Sequence, residues 1–191
     1  MDAGSITTAR TVIRPPHPWQ CFTSTSKSGY AQGVNATCPT CVVHAAYPGP
    51  TPDAFRDPAK GKALANAQIA AGSDVIYHAS GSTGHGVFEA AADAKVFAIG
   101  VDADQHDEMP GTVLTSMIKR GDVAVFDIVK AAVDGTFHGG MNVFGPKEAG
   151  VDYVHEGPHA SLIPEDVKAK VAALREDVME KRITVAVERG P

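Results

Sequence analysis

From Asp57 onward the chain alternates two textures, and this alternation restricts its fold more than any other feature. DPAKGKALANAQIAAG, DVIYHA, GVFEAAADA and VFAIGVD follow one another in order. The first and third carry small and apolar residues at helical spacing. Asp57 before Pro58 supplies an N-cap residue followed by a proline at the first helical position, and Gly72 closes the segment. The second and fourth are continuous apolar runs rather than alternating ones, as expected for strands covered on both faces. Strands of that kind separated by helices predict an α/β fold, a doubly wound parallel sheet.

The same reading extends in both directions. GYAQGVNA reads as the end of a helix, CVVHAAY as a strand and PGPTPDAFRDP as a proline-rich connection. Downstream, TVLTS reads as a short strand running into a helical pattern that ends at VDG. MNVFG and DYVHEG come next, then a helix beginning at Pro164-Glu165 and reaching about Lys181, and a last apolar stretch, ITVAV. Residues 1–28 contain Pro15, Pro16 and Pro18 among many Ser and Thr, without periodicity, and read as loop or disorder. The α/β domain is therefore expected to occupy residues 29–191.

Ligands of doubly wound sheets bind at the carboxyl ends of the strands. Two loops are expected there. Ser80-Gly81-Ser82-Thr83-Gly84-His85-Gly86 opens a helix, where free backbone N–H groups and the helix dipole favour anions and polar oxygens. Asp102, followed by Asp104, ends VFAIGVD on the neighbouring strand. One reading is a dinucleotide site of an NAD(P)-dependent enzyme, with Gly81 to Gly86 on the pyrophosphate and Asp102 on the ribose. The spacing G-x-x-G-x-G departs from the usual fingerprint, and a strand-end carboxylate suits any sugar with vicinal hydroxyls. A third reading has the glycines serving only a tight turn and close helix packing.

A formal net charge of −5 and the lack of any Lys/Arg block argue against a nucleic-acid surface. No window approaches the ~18 consecutive apolar residues of a membrane span, and the first thirty residues lack a secretory h-region. Cys38-Pro-Thr-Cys41 is one C-x-x-C unit, half of a zinc site at best, and is expected to be inert or disulfide-bonded. No Ser-His-Asp spacing or H-E-x-x-H pair is visible, and the eight histidines are scattered. No catalytic residue, metal or cofactor is assigned.

DPAKGKALANAQIAAGSDVIYHASGSTGHGVFEAA, then AIGVDADQ, then PGTVLTSMIKRGDVAVFDIV, strongly resembles the basic membrane lipoprotein, or purine nucleoside receptor-like, family of ABC transporter substrate-binding proteins. The resemblance covers roughly residues 29–187. It implies a class I periplasmic-binding-protein architecture, two α/β lobes around a hinge, attached outside the cytoplasmic membrane and passing purine nucleosides to a permease. It also implies that the base lies between aromatic side chains. Asp102 would accept from the ribose hydroxyls, Lys119 of TSMIKR would donate to the sugar, and the loop Gly81, Ser82, Thr83, Gly84 would offer backbone N–H groups. An ionised Asp only accepts and a Lys only donates, so the pair can satisfy a hydroxyl that does both. Tyr77 and Phe88 offer ring surface but read better as core.

Two departures from the family stand out. The family has a Gly-Gly pair where this chain has Gly81-Ser82, which removes backbone freedom and adds a hydroxyl. His85 is expected to face solvent. The family's amino-terminal lobe has no recognisable counterpart, and Cys21 follows no apolar segment, which makes a poor lipobox. The expectation is a truncated member that carries mainly the carboxy-terminal lobe. Such a chain would bind nucleoside weakly and self-associate through the apolar seam where the first lobe would pack.

Overall fold

The computed structural model describes residues 10–13, 21–49 and 51–185, with side chains from residue 29 onward. Its centre is one six-stranded sheet in the order β2-β1-β3-β4-β5-β6. The strands are β1 (Arg10–Ile13), β2 (Val43–Ala46), β3 (Val75–His78), β4 (Phe97–Asp102), β5 (Val113–Lys119) and β6 (Val151–Tyr153). The first five run parallel; β6 pairs antiparallel with β5. Between them lie α1 (Cys21–Thr37), α2 (Pro58–Ala70), α3 (Gly84–Ala94) and α4 (Gly121–Val133), and α5 (Glu165–Met179) follows β6.

The doubly wound parallel sheet is present, with three differences from the sequence reading. The segment read as loop or disorder contributes β1, which lies between β2 and β3, and the first turns of α1. Arg10-Thr11-Val12-Ile13 is too short to show a period of its own. Strand partners on both sides, and not local propensity, make it a strand. Second, β5 runs through Met117-Ile118-Lys119, where the helical pattern was expected to have begun, because those residues pair with Tyr153, Asp152 and Val151. Third, the sheet ends on an antiparallel edge strand.

The expected start of α2 is borne out: the Asp57 carboxylate accepts from the Lys60 N–H at 2.9 Å, with Pro58 in the first turn. The core forms on both sides of β3, whose four residues are all buried. On one face Ala65, Ile76, Val87 and Ala90 join α2, β3 and α3, and Phe88, Ala91, Ala98 and Val113 extend the layer towards β5. On the other, Tyr77 and Val101 pack with Tyr30 of α1, the Tyr30 and Tyr77 rings stacking at 4.9 Å.

Helices α2 and α3 approach closely because two glycines let them. A Cβ on Gly86 would stand 1.8 Å from the Pro58 carbonyl oxygen, and one on Gly61 would stand 2.2 Å from that of Thr83. By contrast, α4 is covered only on the side of Val123, Ala124, Ile128 and Ala131, which are partly buried. Its opposite side presents Val125, Phe126, Val129 and Val133, 56 to 82% exposed, and Phe137, Met141 and Val143 farther along the chain are exposed as well.

Candidate functional site

The strand order places the change of winding direction between β1 and β3, and the loop that follows β3 lies at this point, where such sheets bind ligands. That loop is a 3-10 turn, Gly81–Thr83, leading directly into α3. Gly81 has φ +55°, and a Cβ there would lie 3.1 Å from the Phe55 carbonyl oxygen. Thr83 N–H donates to Ser80 O, and the Gly84 N–H points back to the carbonyls of Gly81 and Ser82. The amides of Gly81 and Ser82 head the turn, ahead of its first internal hydrogen bond.

The side chains of this loop serve the scaffold. The fully buried Thr83 hydroxyl donates to Ala54 O at 2.7 Å and accepts from Asp57 N–H at 2.9 Å. Ser82 is exposed, and its hydroxyl donates to Phe55 O at 2.9 Å. Gly84 is glycine because the His78 ring occupies the space of a side chain, with ring atoms 2.1 to 2.6 Å from the position of a Cβ. The glycines at 84 and 86 are therefore explained by packing, as one sequence reading allowed. Tyr77 and Phe88 are buried core residues, as expected.

Asp102 ends β4 with φ +71°, in the left-handed region that Asp tolerates better than most residues. Its carboxylate meets the Lys119 ammonium, from the end of β5, at 2.5 Å. The two residues singled out from the sequence are thus brought together, both partly exposed, by adjacent parallel strands. Behind Asp102, Gln105 holds the chain in place: its Oε1 accepts from Val101 N–H at 2.7 Å, and its own N–H donates to the buried Ser116 hydroxyl at 3.0 Å. Gly100 makes room for this arrangement, since a Cβ would stand 2.5 Å from Ser116 Oγ.

Histidines flank the loop that follows. His159 Nδ1 lies 2.7 Å from Asp104 and stacks on His106 at 4.4 Å between ring centres. The Asp104 carboxylate pushes the His159 pKa up. Partial burial raises that of Asp104, but the His159 contact and the His106 N–H outweigh it and the net shift is downward. His85 is exposed, as expected, and its Nδ1 lies 2.7 Å from Glu108. Beneath the Gly81 turn, His78 is fully buried and its ring nitrogens lack hydrogen-bond partners of good geometry. Burial pushes its pKa down to about 4, and the nearby Gln105 and Asp102 oppose this only in part.

Phe55 was not singled out in the sequence, yet its half-buried ring edge lies 3.5 Å from the position of a Gly81 Cβ. The available signal was an aromatic residue just before the Asp57-Pro58 helix start, in a loop at a strand's carboxyl end. At the far end of α1, Cys38 and Cys41 form a disulfide, as expected. Among the described residues no group of His, Cys, Asp and Glu is arranged to hold a metal ion, and no helix is long and apolar enough to cross a membrane. Asp102 and Lys119 thus pair at the carboxyl ends of β4 and β5, the same end of the sheet as the loop that follows β3.

The sequence model of the Bmp family, ABC transporter substrate-binding protein PnrA-like, matches residues 21–188. The chain is 35% identical over 177 residues to a CD4+ T-cell-stimulating antigen of Listeria monocytogenes, which covers 83% of this chain and 47% of that protein. It is 33% identical over 178 residues to the ABC transporter nucleoside-binding protein BmpA of Lactococcus lactis, covering 83% and 48%. Among solved structures, an ABC transporter solute-binding protein from Aeropyrum pernix superposes with a TM-score of 0.74 at 25% identity, over 96% of this chain and 58% of that one. The chain spans about half the length of these curated relatives.

Proposed function

The chain belongs to the PnrA-like family of ABC transporter substrate-binding proteins, and from that premise we propose that it contributes one side of a purine nucleoside site to an ABC importer. The family is one of solute-binding proteins, not enzymes, so the site needs affinity and orientation but no reacting group. The observation that carries the ligand class is the Asp102–Lys119 pair, at the same end of the sheet as the Gly81–Ser82 turn and Phe55. With no ligand the two charges satisfy each other. A ribose hydroxyl inserted between them donates to Asp102 and accepts from Lys119, while the base lies against the Phe55 ring. The relative named as nucleoside-binding supports this choice of solute. The NAD(P) reading has no such support, and packing accounts for the glycines on which it depended.

In this reading the protein works on the extracytoplasmic face of the membrane with a permease as partner, in line with relatives named lipoproteins. The exposed side of α4 is the seam that a second lobe, or a second copy of this chain, covers. The described residues supply one side of the proposed cleft, so nucleoside binding by the 191-residue chain on its own is expected to be weak. Titration of the labelled chain with adenosine, followed by NMR, should shift amide resonances at residues 55, 81, 82, 102 and 119. Asp102→Asn should weaken binding about ten-fold, the loss of one charge-assisted hydrogen bond. Equal shifts with free adenine, or no effect of Asp102→Asn, would sink the proposal.

A further inference from the structure

Two hydroxyls of the Gly81–Thr83 turn reach the loop after β2, the buried one of Thr83 and the exposed one of Ser82; the latter, close to where a ligand is proposed, donates to a backbone carbonyl. That carbonyl belongs to Phe55, 27 residues away in sequence. The same carbonyl oxygen and the Phe55 side chain border the space above Gly81, at 3.1 to 3.5 Å from the position of a Cβ. The backbone of the turn Pro52–Phe55 is therefore fastened at two successive residues: Thr83 holds Ala54 O inside the protein, and Ser82 holds Phe55 O at the surface. Thr83 has both hydrogen-bonding functions engaged and is buried, so it holds the two loops together as scaffold. Ser82 adds little to overall stability because its bond is exposed. What it fixes is the backbone dihedral that aims one half-buried ring.

We propose that Ser82 is a positioning residue. By donating to the Phe55 carbonyl it holds that ring against the Gly81 turn, and it thereby sets how a planar group is received at the carboxyl ends of the strands. The hydroxyl thus acts on the protein's own backbone, and its influence on a ligand passes through Phe55. The consequence for ligand choice rests on the nucleoside reading above, whereas the fastening of Phe55 does not.

The test uses the full chain with Ser82→Ala, Ser82→Gly and Ser82→Thr. Hydrogen exchange at the amides of residues 54–57 and the ring resonances of Phe55 report the fastening without any ligand. Titrations with adenosine and with ribose report its consequence. Ser82→Ala and Ser82→Gly should speed exchange in 54–57 and shift the Phe55 ring resonances. Adenosine binding should weaken about five-fold, the worth of one ordinary hydrogen bond, with ribose binding and melting temperature unchanged; Ser82→Thr should restore both readouts. If the wild-type chain binds neither probe, the nucleoside reading fails and the exchange and ring signals alone decide the fastening. Unmoved signals at 54–57 and at the Phe55 ring in Ser82→Ala overturn the proposal, as does an equal loss of adenosine and ribose affinity.

Discussion

His78 shows how one residue can link the site to the stability of the whole protein. Its imidazole is neutral because protonation inside the core would leave a charge without solvation. With a pKa of about 4 in the folded protein against about 6.5 in the unfolded chain, the unfolded state takes up the proton first as pH falls. The contribution is therefore fully present above pH ~6.5 and is lost as the pH drops towards 4, in total about 3 kcal/mol. Urea unfolding between pH 4 and 8 should show this decline, and His78→Leu, similar in size, should flatten it. A wild-type minus variant difference that does not change with pH would contradict the assignment. The sequence showed a histidine at the end of an apolar strand, but nothing in DVIYHA says that Gly84 is small in order to receive its ring. Of the proposed pair, Asp102 was legible as a strand-end carboxylate, whereas Lys119 was expected inside a helical pattern and was named only through the family resemblance; β5, set by its distant partners, carries it to the strand end beside Asp102.

At the scale of elements, what was legible followed from local chemistry. Asp57-Pro58 marked the start of α2 because capping needs only neighbouring residues. β3 and β4 announced themselves as runs long enough to show burial on both faces. β1 and the second half of β5 were not legible, because each is a strand by virtue of distant partners. The roles of Ser82 and Phe55 were hidden for the same reason: their hydrogen bond spans 27 residues. The contact between α2 and α3 lies between these cases, since its glycines were visible but their partners were not. Gly86→Ala puts a methyl group into the Pro58 carbonyl and must separate the helices; we expect a loss of about 2–3 kcal/mol, as for overpacking, measured by chemical denaturation. Gly121→Ala, with open space around it, should be neutral or slightly stabilising and serves as the control.

For the molecule as a whole, α4 is the element whose sequence and surroundings disagree most. A helix apolar on opposite sides belongs between two layers, and the described residues supply one. Val125, Phe126, Val129 and Val133 then form an exposed stripe that the described residues do not cover. Light scattering coupled to size exclusion should find self-association that rises with protein concentration. Phe126→Glu should shift the distribution towards monomer without lowering the melting temperature, since Phe126 contributes little to the core. A strictly monomeric wild-type chain at high concentration would refute this.

The bond between Cys38 and Cys41 bears on where such a chain can reach its final form. Glutathione and thioredoxin keep most cytosolic thiols reduced, whereas secreted and surface proteins keep their cystines. Cys41 is buried where α1 gives way to β2, so the cystine ties the end of a helix to the approach of an edge strand. The covalent chemistry of this corner therefore favours the same side of the membrane as the solute it is proposed to meet. Chain produced under reducing conditions would lack that tie at the sheet edge, even with every residue of the site in place.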